Sequence, residues 1–169
     1  MFRCYLDKLE IVGYRPGALA DVVRMHIDYY SENWGFGVAF ETKVAGELSE
    51  FLSRYSPEKD LFLAAYHPDG QCIGSISVDC QDVAGKGAHI RWFIVNQKYA
   101  GGGLGRMLMS EAINHCDSAH IAQSYLTTFE GLHAARKLYE SFDYRLAEER
   151  EVDQWAGGVK EQLFVRDLG

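Results

Sequence analysis

Residues 96–109 read NQKYAGGGLGRMLM, and four of the five residues from position 101 to 105 are glycine. Glycine inside a helix costs about 1 kcal/mol relative to alanine, so several glycines at a helix entrance need a physical reason. Successive glycine N–H groups can point into one concavity, and the first N–H groups of a helix have no acceptor within it. The helix dipole also favours an anion there. The stretch therefore predicts a pyrophosphate cradle, with Arg106 adding a cation one turn into the helix.

Two other glycine motifs fail on spacing. A dinucleotide fingerprint needs G-x-G-x-x-G after the first strand of a βαβ unit, whereas here Arg106 stands at the last glycine position, after the fourth predicted strand. A Walker loop needs Lys followed by Ser or Thr, and no such pair follows these glycines. One alternative stays open, a strand–helix connection that needs positive φ at a single position. One glycine would be enough for that.

Hydrophobic periodicity predicts one α/β domain over residues 1–169, in the order β-α-α-β-β-β-α-β-α-β-β. Two helices are expected between residues 15 and 55, a third over about 103–117 and a fourth within 131–143. The predicted strands cover residues 6–13, 61–66, 72–80, 88–95, 121–128, 144–152 and 159–168. Hairpins in the middle and at the end argue against a purely parallel nucleotide-binding sheet.

Composition and charge narrow the classes of function. The 169 residues carry 24 acidic and 17 basic side chains, a formal net charge of −7, which disfavours nucleic acid as a partner. The N-terminus lacks the apolar core of a signal peptide, and no run approaches the roughly 20 apolar residues that span a bilayer. Cys4, Cys72, Cys80 and Cys116 are scattered and indicate reduced, buried thiols. We therefore expect a cytoplasmic protein that contacts no membrane.

Two segments carry a family resemblance. Residues 95–109, VNQKYAGGGLGRMLM, resemble the acetyl-CoA-binding motif of the GNAT acyltransferases, a strand ending in Val followed by R/Q-x-x-G-x-G/A and a helix. Residues 134–146, AARKLYESFDYRL, are similar to the family block A-x-x-L-Y-E-x-x-G-F. The resemblance implies an α+β fold, a single GNAT domain with a central, mixed, mostly antiparallel sheet of seven strands and about four flanking helices. YSENWGFGVAFE and VKEQLFVRDL look most like the acetyltransferase half of MarR–GNAT fusion proteins.

The sequence departs from the family pattern at three places. Ala100 stands where the motif has Arg or Gln, so one polar contact to the pyrophosphate is missing. Gly102 replaces a commonly charged residue, and Asp143-Tyr144 replaces Gly-Phe. None of these changes removes a backbone donor from the cradle.

The resemblance implies acetyl-CoA as cosubstrate and assigns it two sets of contacts. The strand that enters the loop binds the pantetheine arm through the backbone of Phe93, Ile94 and Val95. The loop and helix start hold the pyrophosphate, through Ala100, Gly101, Gly102, Gly103, Leu104, Gly105 and Arg106. Tyr139, in the L-Y-E context, protonates the departing thiolate. On spacing alone, a tyrosine in an apolar helix stripe is more often a core residue, and the L-Y-E context is what favours the catalytic role.

Two residues of the fourth strand are further candidates. His89 stands where many relatives carry a glutamate that acts on the amine, and a histidine titrates near neutral pH, so it is a candidate base. Arg91 is a candidate clamp for a substrate carboxylate; both residues are otherwise surface or packing residues. Strict alternation puts His89, Arg91, Phe93 and Val95 on one face, unless a bulge alters it.

The acceptor pocket in this family forms from the first two helices, their connection and the final hairpin. Glu41 is a candidate to attract an ammonium group. The aromatic residues expected to line the pocket, some of which would instead pack the core, are Tyr30, Trp34, Phe36, Phe40 and Trp155.

These observations lead to the hypothesis of an N-acetyltransferase that transfers an acetyl group directly from acetyl-CoA to a small-molecule amine, such as an amino acid, a polyamine or an antibiotic-like amine. No spacing of His, Cys or Asp suggests a metal. Two alternatives stay open: a CoA-binding sensor with little turnover, motivated by Ala100, and an acetyltransferase that acts on a protein. A homodimer is possible, because dimers are common in the family.

Overall fold

The computed structural model describes Leu6 and residues 8–168. Four helices have their bounds within this part of the chain: α1 (Ala18–Trp34), α2 (Val38–Arg54), α3 (Leu104–Ser118) and α4 (His133–Glu140). None of them is both long and apolar enough to cross a membrane. The strands are β1 (Glu10–Val12), β2 (Leu61–Tyr66), β3 (Cys72–Asp79), β4 (Ala88–Val95), β5 (Gln123–Phe129), β6 (Arg145–Arg150) and β7 (Glu161–Asp167).

The seven strands form one sheet in the order β1-β2-β3-β4-β5-β7-β6. Only β4 and β5 pair in parallel, and the other neighbouring strands in this sheet are antiparallel. The predicted fold, a mixed and mostly antiparallel seven-stranded sheet with four helices, is therefore confirmed. The predicted order of helices and strands is confirmed as well.

The first predicted strand, residues 6–13, is wrong at its N-terminal end. Strand β1 covers only Glu10–Val12, and Leu6 is helical, with its carbonyl accepting a hydrogen bond from the Leu9 N–H at 3.2 Å. Leu6 and Leu9 are three residues apart, a helical spacing, and both pack against the core. The apolar pattern thus marked the buried side correctly but not the backbone conformation.

The sheet separates two hydrophobic cores. Helices α1 and α2 cover one face, where Val22, Phe40 and Phe51 pack against Phe62 of β2. Helices α3 and α4 cover the other face, where the side chains packed against β3 and β4 include Leu104, Leu108, Met109 and Tyr139. Each helix pair presents one apolar stripe to the sheet, which is why both helix pairs could be located from periodicity.

Strands β4 and β5 diverge after a short parallel contact. Ala88 pairs with Ser124 and His89 with Tyr125, and no pair joins the two strands beyond them in the described chain. Strand β4 stays paired with β3 up to Val95. Because the following residues of β4 lose a neighbour on the β5 side only, a cleft opens in the middle of the sheet with strand backbone along one wall.

The cysteines described by the structure are unpaired and buried. They are Cys72, Cys80 and Cys116, and burial raises the pKa of the Cys116 thiol to about 12. Cys4 lies outside the described residues. Thiols with raised pKa are poor nucleophiles, which agrees with a structural role for these three.

Candidate active site

A cavity of about 590 Å³ lies at the end of the cleft between β4 and β5. It is bounded by the strand residues Phe93, Ile94 and Val95, by the glycine loop and by α4. From the loop, Ala100, Gly101, Gly103, Gly105 and Arg106 line it. The structure therefore brings together most of the residues predicted to bind a cofactor.

The backbone of the glycine loop has the donors that an anion requires. No N–H group from Gly101 to Arg106 donates a hydrogen bond to another described residue. The first helical donor, Met107 N–H, binds the Gly103 carbonyl at 3.0 Å. Gly101 and Gly103 have φ values of +77° and +97°, which glycine alone adopts readily. Six consecutive donors thus stay available at the positive end of α3.

The remaining loop residues have different surroundings. Leu104 is fully buried, packs its side chain into the core and does not line the cavity. Gly102 does not line the cavity. At Gly105, an added Cβ would lie 3.4 Å from the Phe93 ring, so this glycine lets α3 pack closely on β4. Arg106 contacts the Ser141 hydroxyl at 3.1 Å and reaches the cavity rim.

A β-bulge in β4 changes which residues share a face. The register shifts between Ser75 and Ser77 of β3, opposite Trp92 and Phe93, and Trp92 has φ of +46°. Trp92 and Ile94 consequently pack on the α1/α2 side, whereas Phe93 packs on the α3/α4 side. Strict alternation, which would put His89, Arg91, Phe93 and Val95 on one face, therefore does not hold, and the bulge that was considered as the exception is present. Because of the extra residue, His89 and Arg91, which precede the bulge, lie on the opposite face of the sheet from Phe93 and Val95.

A second, smaller cavity of about 110 Å³ adjoins the cleft on the α1/α2 side. Three residues line both cavities: Tyr30, Phe93 and Tyr139. The two spaces therefore meet at these rings. A group carried in the larger cavity and an acceptor held in the smaller one would come together there.

Tyr139 lies on the buried side of α4 and is 7% exposed. Its ring packs edge-on against Phe93 at 6.0 Å between ring centres, and it tilts against Phe164 at 6.1 Å. Burial raises the pKa of its phenol, so the hydroxyl stays protonated well above neutral pH. A protonated phenol at the junction is a suitable proton donor for a leaving thiolate.

Tyr30 of α1 is a second phenol at the same junction. Burial raises its pKa, and the neighbouring Tyr139 and Tyr29 phenols raise it further. Its ring stacks on Phe36 at 5.8 Å and meets Phe40 and Phe129 edge-on. The sequence predicted Tyr30 as one of the aromatic residues that line the acceptor pocket. In the structure it also lies where the two cavities meet.

The other predicted acceptor residues divide into lining and supporting positions. Arg91, Phe40 and Trp155 line the smaller cavity. Trp34 and Phe36 line neither cavity and pack behind it against Phe129, at 5.2 and 5.5 Å between ring centres. They support the wall that Tyr30 and Phe40 form.

The prediction for Glu41 needs correction. Glu41 is exposed on α2 and lines neither cavity. The acid of α2 that does line the smaller cavity is Glu47, six residues further along the helix. Since a helix turns about 100° per residue, six residues bring Glu47 to a different side of α2 from Glu41.

His89 lines the smaller cavity, with its ring stacked on Tyr125 at 4.3 Å between ring centres. Burial lowers its pKa to about 3, and the positive charge of Arg91 lowers it further. The imidazole is therefore neutral at pH 7 but weakly basic. General-base catalysis is most effective when the pKa lies near the working pH, so His89 is better suited to accepting a hydrogen bond than to acting as a strong base.

The sequence analysis missed His26 of α1, which also lines the smaller cavity and is 6% exposed. Its Nδ1 lies 2.8 Å from the Val22 carbonyl, which can only accept, so Nδ1 carries the proton and Nε2 keeps its lone pair. Burial lowers its pKa to about 4. In the sequence His26 occupies an apolar helix stripe, which gave no signal that a cavity lies beside it.

We expect the free energy of unfolding to decrease as pH falls from 6.5 towards 4. An unfolded histidine titrates near 6.5, whereas folded His26 has a pKa of about 4, so its stabilising contribution is complete above 6.5 and is lost below it. The loss for His26 is on the order of 3 kcal/mol, from 1.36 kcal/mol per pKa unit. Denaturant unfolding at several pH values measures the slope.

A matched pair of variants tests the origin of that slope. His26→Gln removes one buried imidazole and should reduce the slope between pH 6.5 and 4.5, with part of the slope left because His89, whose pKa is about 3, acts in the same direction. His120→Asn removes an exposed imidazole at a residue with φ of +51°, a backbone conformation that asparagine tolerates. Equal slopes for the two variants would contradict the assignment to His26.

Comparison with known proteins identifies the family. The model of the acetyltransferase (GNAT) family matches residues 19–144 of the chain, which include α1 to α4 and the glycine loop. The chain belongs to the GNAT family. The chain is thus an N-acetyltransferase, in a family that uses acetyl-CoA.

Individual relatives agree with this assignment. An uncharacterised N-acetyltransferase of Schizosaccharomyces pombe is 26% identical over 129 residues, 76% of this chain and 77% of the relative. A GNAT-family acetyltransferase structure from Staphylococcus aureus has a TM-score of 0.75 at 14% identity, covering 95% of this chain and 99% of that one. Spermidine N-acetyltransferase of Vibrio cholerae, solved with CoA and spermine, has a TM-score of 0.70 at 15% identity, covering 95% and 96%. At these identities the solved structures establish the GNAT fold alone.

Proposed function

We propose that this GNAT enzyme transfers an acetyl group from acetyl-CoA directly to the amine of a small molecule bound in the smaller cavity. The observation that carries the proposal is the meeting of the two cavities at Tyr30, Phe93 and Tyr139, with glycine-loop N–H groups that have no partner among the described residues at the other end of the larger one. When bound, acetyl-CoA supplies the activated acyl thioester.

The chain binds and orients the donor with its backbone. The N–H groups of the loop residues that line the larger cavity, Gly101, Gly103, Gly105 and Arg106, hold the pyrophosphate, and Arg106 adds a positive charge. The unpaired side of β4 from Phe93 to Val95 lies along the cleft, where its peptide groups fit the amides of an extended pantetheine arm. Ala100 contributes only a methyl group at the rim.

Tyr139 and the acceptor complete the transfer. The acceptor nitrogen, bound as the free amine, forms a bond to the acyl carbon, the carbon–sulfur bond breaks, and the phenol of Tyr139 gives its proton to the departing sulfur; the proton that the nitrogen loses on becoming an amide returns to the Tyr139 phenolate, whose pKa burial raises. The lone pairs of His26 and His89 accept hydrogen bonds from the acceptor N–H groups. The aromatic walls around them keep water from the reacting atoms.

We expect acetyl-CoA to stabilise the purified protein selectively against heat. At a hundredfold excess over Kd, binding to the native state adds about 2.7 kcal/mol, which corresponds to a rise of roughly 5–10 °C in Tm for a chain of this size. NAD and ATP are the controls and should give no comparable shift. No shift with acetyl-CoA, repeated by calorimetry, would contradict the pyrophosphate cradle.

A CoA-binding sensor is the second candidate, and Ala100 in place of Arg or Gln is the observation that favours it. A panel of amines, with release of free CoA as the readout, separates the two. If acetyl-CoA binds but no amine causes release of free CoA, the sensor is favoured. If free CoA is released only when a protein is added, an acetyltransferase that acts on a protein is favoured. The likeness to MarR–GNAT fusion proteins, the cytoplasmic location, the span of one domain over residues 1–169 and a homodimer stay predictions.

A further inference from the structure

A cluster of three charged side chains lines the smaller cavity but not the larger one: Lys43, Glu47 and Arg91. Lys43 and Glu47 are one turn apart on α2, and Arg91 comes from β4. The Glu47 carboxylate lies between the two cations, with one oxygen 2.5 Å from Lys43 Nζ and the other bonded to the Arg91 guanidinium. The cavity therefore already contains a geometry in which two cations hold one carboxylate.

The charges that line this cavity do not balance. Lys43 and Arg91 are positive, and Glu47 is the one acidic side chain among the described lining residues. The next acid, Asp79, lies behind Arg91 and does not line the cavity; its side chain is 7% exposed and Arg54 holds it at 2.7 Å. The cavity surface carries a net positive charge in a protein whose formal net charge is −7.

The two cations have donors left for a ligand. An ammonium group has three N–H donors, and Lys43 Nζ uses one on Glu47. Arg91 spans Glu47 and the more distant Asp79, at 3.5 Å, and its guanidinium stacks 4.2 Å from the centre of the Trp92 ring. The contact with Trp92 holds the guanidinium at the cavity wall, and a guanidinium has five N–H donors, so N–H groups remain there for a ligand carboxylate.

We infer that the acceptor carries a carboxylate as well as its amine, as a free amino acid does, and that Lys43 and Arg91 bind that carboxylate. The inference rests on the proposed function and names its substrate class. The amine then points towards Tyr30, Phe93 and Tyr139, where both cavities meet, and the carboxylate lies at the end lined by the charged cluster. A volume of about 110 Å³ suits a small acceptor.

The same charges exclude a polyamine. A polyamine brings two or more positive charges, which need carboxylates not already bound to cations. Glu47 is held by two cations of the chain, so an added cation in this cavity would meet Lys43 and Arg91. Like charges a few ångströms apart repel each other, and they do so more strongly in a partly dry cavity than in water.

Glu47 acts in this arrangement as an internal competitor. Its carboxylate binds the two cations when the acceptor is absent. The Glu47 side chain is 37% exposed, so it can move aside. Removing its charge should therefore strengthen binding of an acceptor carboxylate, whereas removing the charge of Lys43 should weaken it. If Lys43 and Glu47 formed a purely structural ion pair, removing either charge would not change acceptor binding in opposite directions.

The test uses amines in pairs that differ only in the carboxylate: alanine with ethylamine, phenylalanine with phenethylamine, and methionine with 3-(methylthio)propylamine, with spermidine alongside. Release of free CoA gives kcat/KM for each. Calorimetry in the presence of CoA gives the affinity for each N-acetylamino acid and for its uncharged amide, independently of turnover. Acetyl-CoA binding is measured on the same protein.

We expect amino acids to exceed their matched amines and spermidine at least tenfold in kcat/KM, or N-acetylamino acids to exceed their amides similarly in affinity. Lys43→Met should raise KM for the amino acid about 10- to 100-fold, the scale of a charge-assisted hydrogen bond, and leave the matched amine unchanged. Glu47→Gln should lower that KM severalfold. Lys59→Met removes an exposed cation outside both cavities and should change neither.

The remaining outcomes overturn the inference in distinguishable ways. If acetyl-CoA binds and spermidine or an uncharged amine is acetylated as well as the amino acids, the proposed function stands and the carboxylate inference falls. The inference falls equally if neither turnover nor product binding depends on a carboxylate across the panel. If acetyl-CoA itself does not bind, the proposed function falls, and the inference falls with it.

Discussion

Gly103→Asp is expected to weaken acetyl-CoA binding by a factor on the order of 10³. Gly103 immediately precedes α3 and lines the larger cavity, in a stretch of six N–H groups that have no partner among the described residues. A carboxylate there would lie beside the pyrophosphate, and two like charges about 4 Å apart repel by about 4 kcal/mol at an effective dielectric constant near 20. Calorimetry of acetyl-CoA binding measures the change.

Backbone strain needs a separate control, because Gly103 has φ of +97° and an added Cβ would lie 3.4 Å from the Leu6 side chain. Gly103→Asn has nearly the same shape as the aspartate and tolerates a positive φ, yet carries no charge. We expect its affinity for acetyl-CoA to stay within about tenfold of the wild type, since asparagine has no charge to repel the pyrophosphate. Equal losses in both variants would show that shape, not charge, matters at this position.

The glycine loop could be predicted from sequence because its chemistry is local. Four glycines within five residues at a helix start dictate a backbone with free donors wherever the rest of the chain lies. The structure adds that the loop opens on a cavity and that Gly105 lets α3 approach Phe93. The helices and most strands were likewise readable, because one apolar stripe or one apolar run marks each of them.

A bulge in β4 was considered from the sequence, but its presence at Trp92 could not be predicted, because it has no local signature. The segment around it, WFIV, consists of residues that all favour ordinary strands, and the extra residue appears only in the register with β3. That single residue decides that Arg91 faces α2 while Phe93 faces α4. Any assignment of faces by alternation was bound to fail beyond it.

The charged end of the smaller cavity depends on tertiary structure in the same way. Glu41 and Glu47 both lie on α2, and the sequence analysis named Glu41 as the candidate to attract an ammonium group. Which side of α2 meets the cavity is set by how the helix packs on the sheet, and this packing selects Glu47. The pairing of Glu47 with Arg91 joins residues 44 positions apart, beyond any local pattern.

Tyr139→Phe is expected to lower kcat by a factor between about 10² and 10⁴, the usual range for loss of a general acid, with acetyl-CoA affinity nearly unchanged. The substitution removes one hydroxyl and keeps the ring that packs against Phe93 and Phe164, so the fold should persist. Because burial raises the pKa of Tyr139, the wild-type rate should not fall between pH 8 and 10 through ionisation of this phenol. Stopped-time assays of CoA release give kcat, and calorimetry gives the affinity.

Two further tyrosines make the result specific. Tyr144 is also buried, and its hydroxyl pairs with that of Ser124 at 2.7 Å, away from both cavities. Tyr144→Phe should therefore reduce stability by about 1 kcal/mol and leave kcat unchanged. Tyr30→Phe removes the second phenol at the junction, where Tyr30 is proposed to form part of the acceptor wall, so KM should respond more than kcat. A large loss of kcat in Tyr30→Phe with normal turnover in Tyr139→Phe would move the role of proton donor to Tyr30, since these are the two phenols lining both cavities in the described chain.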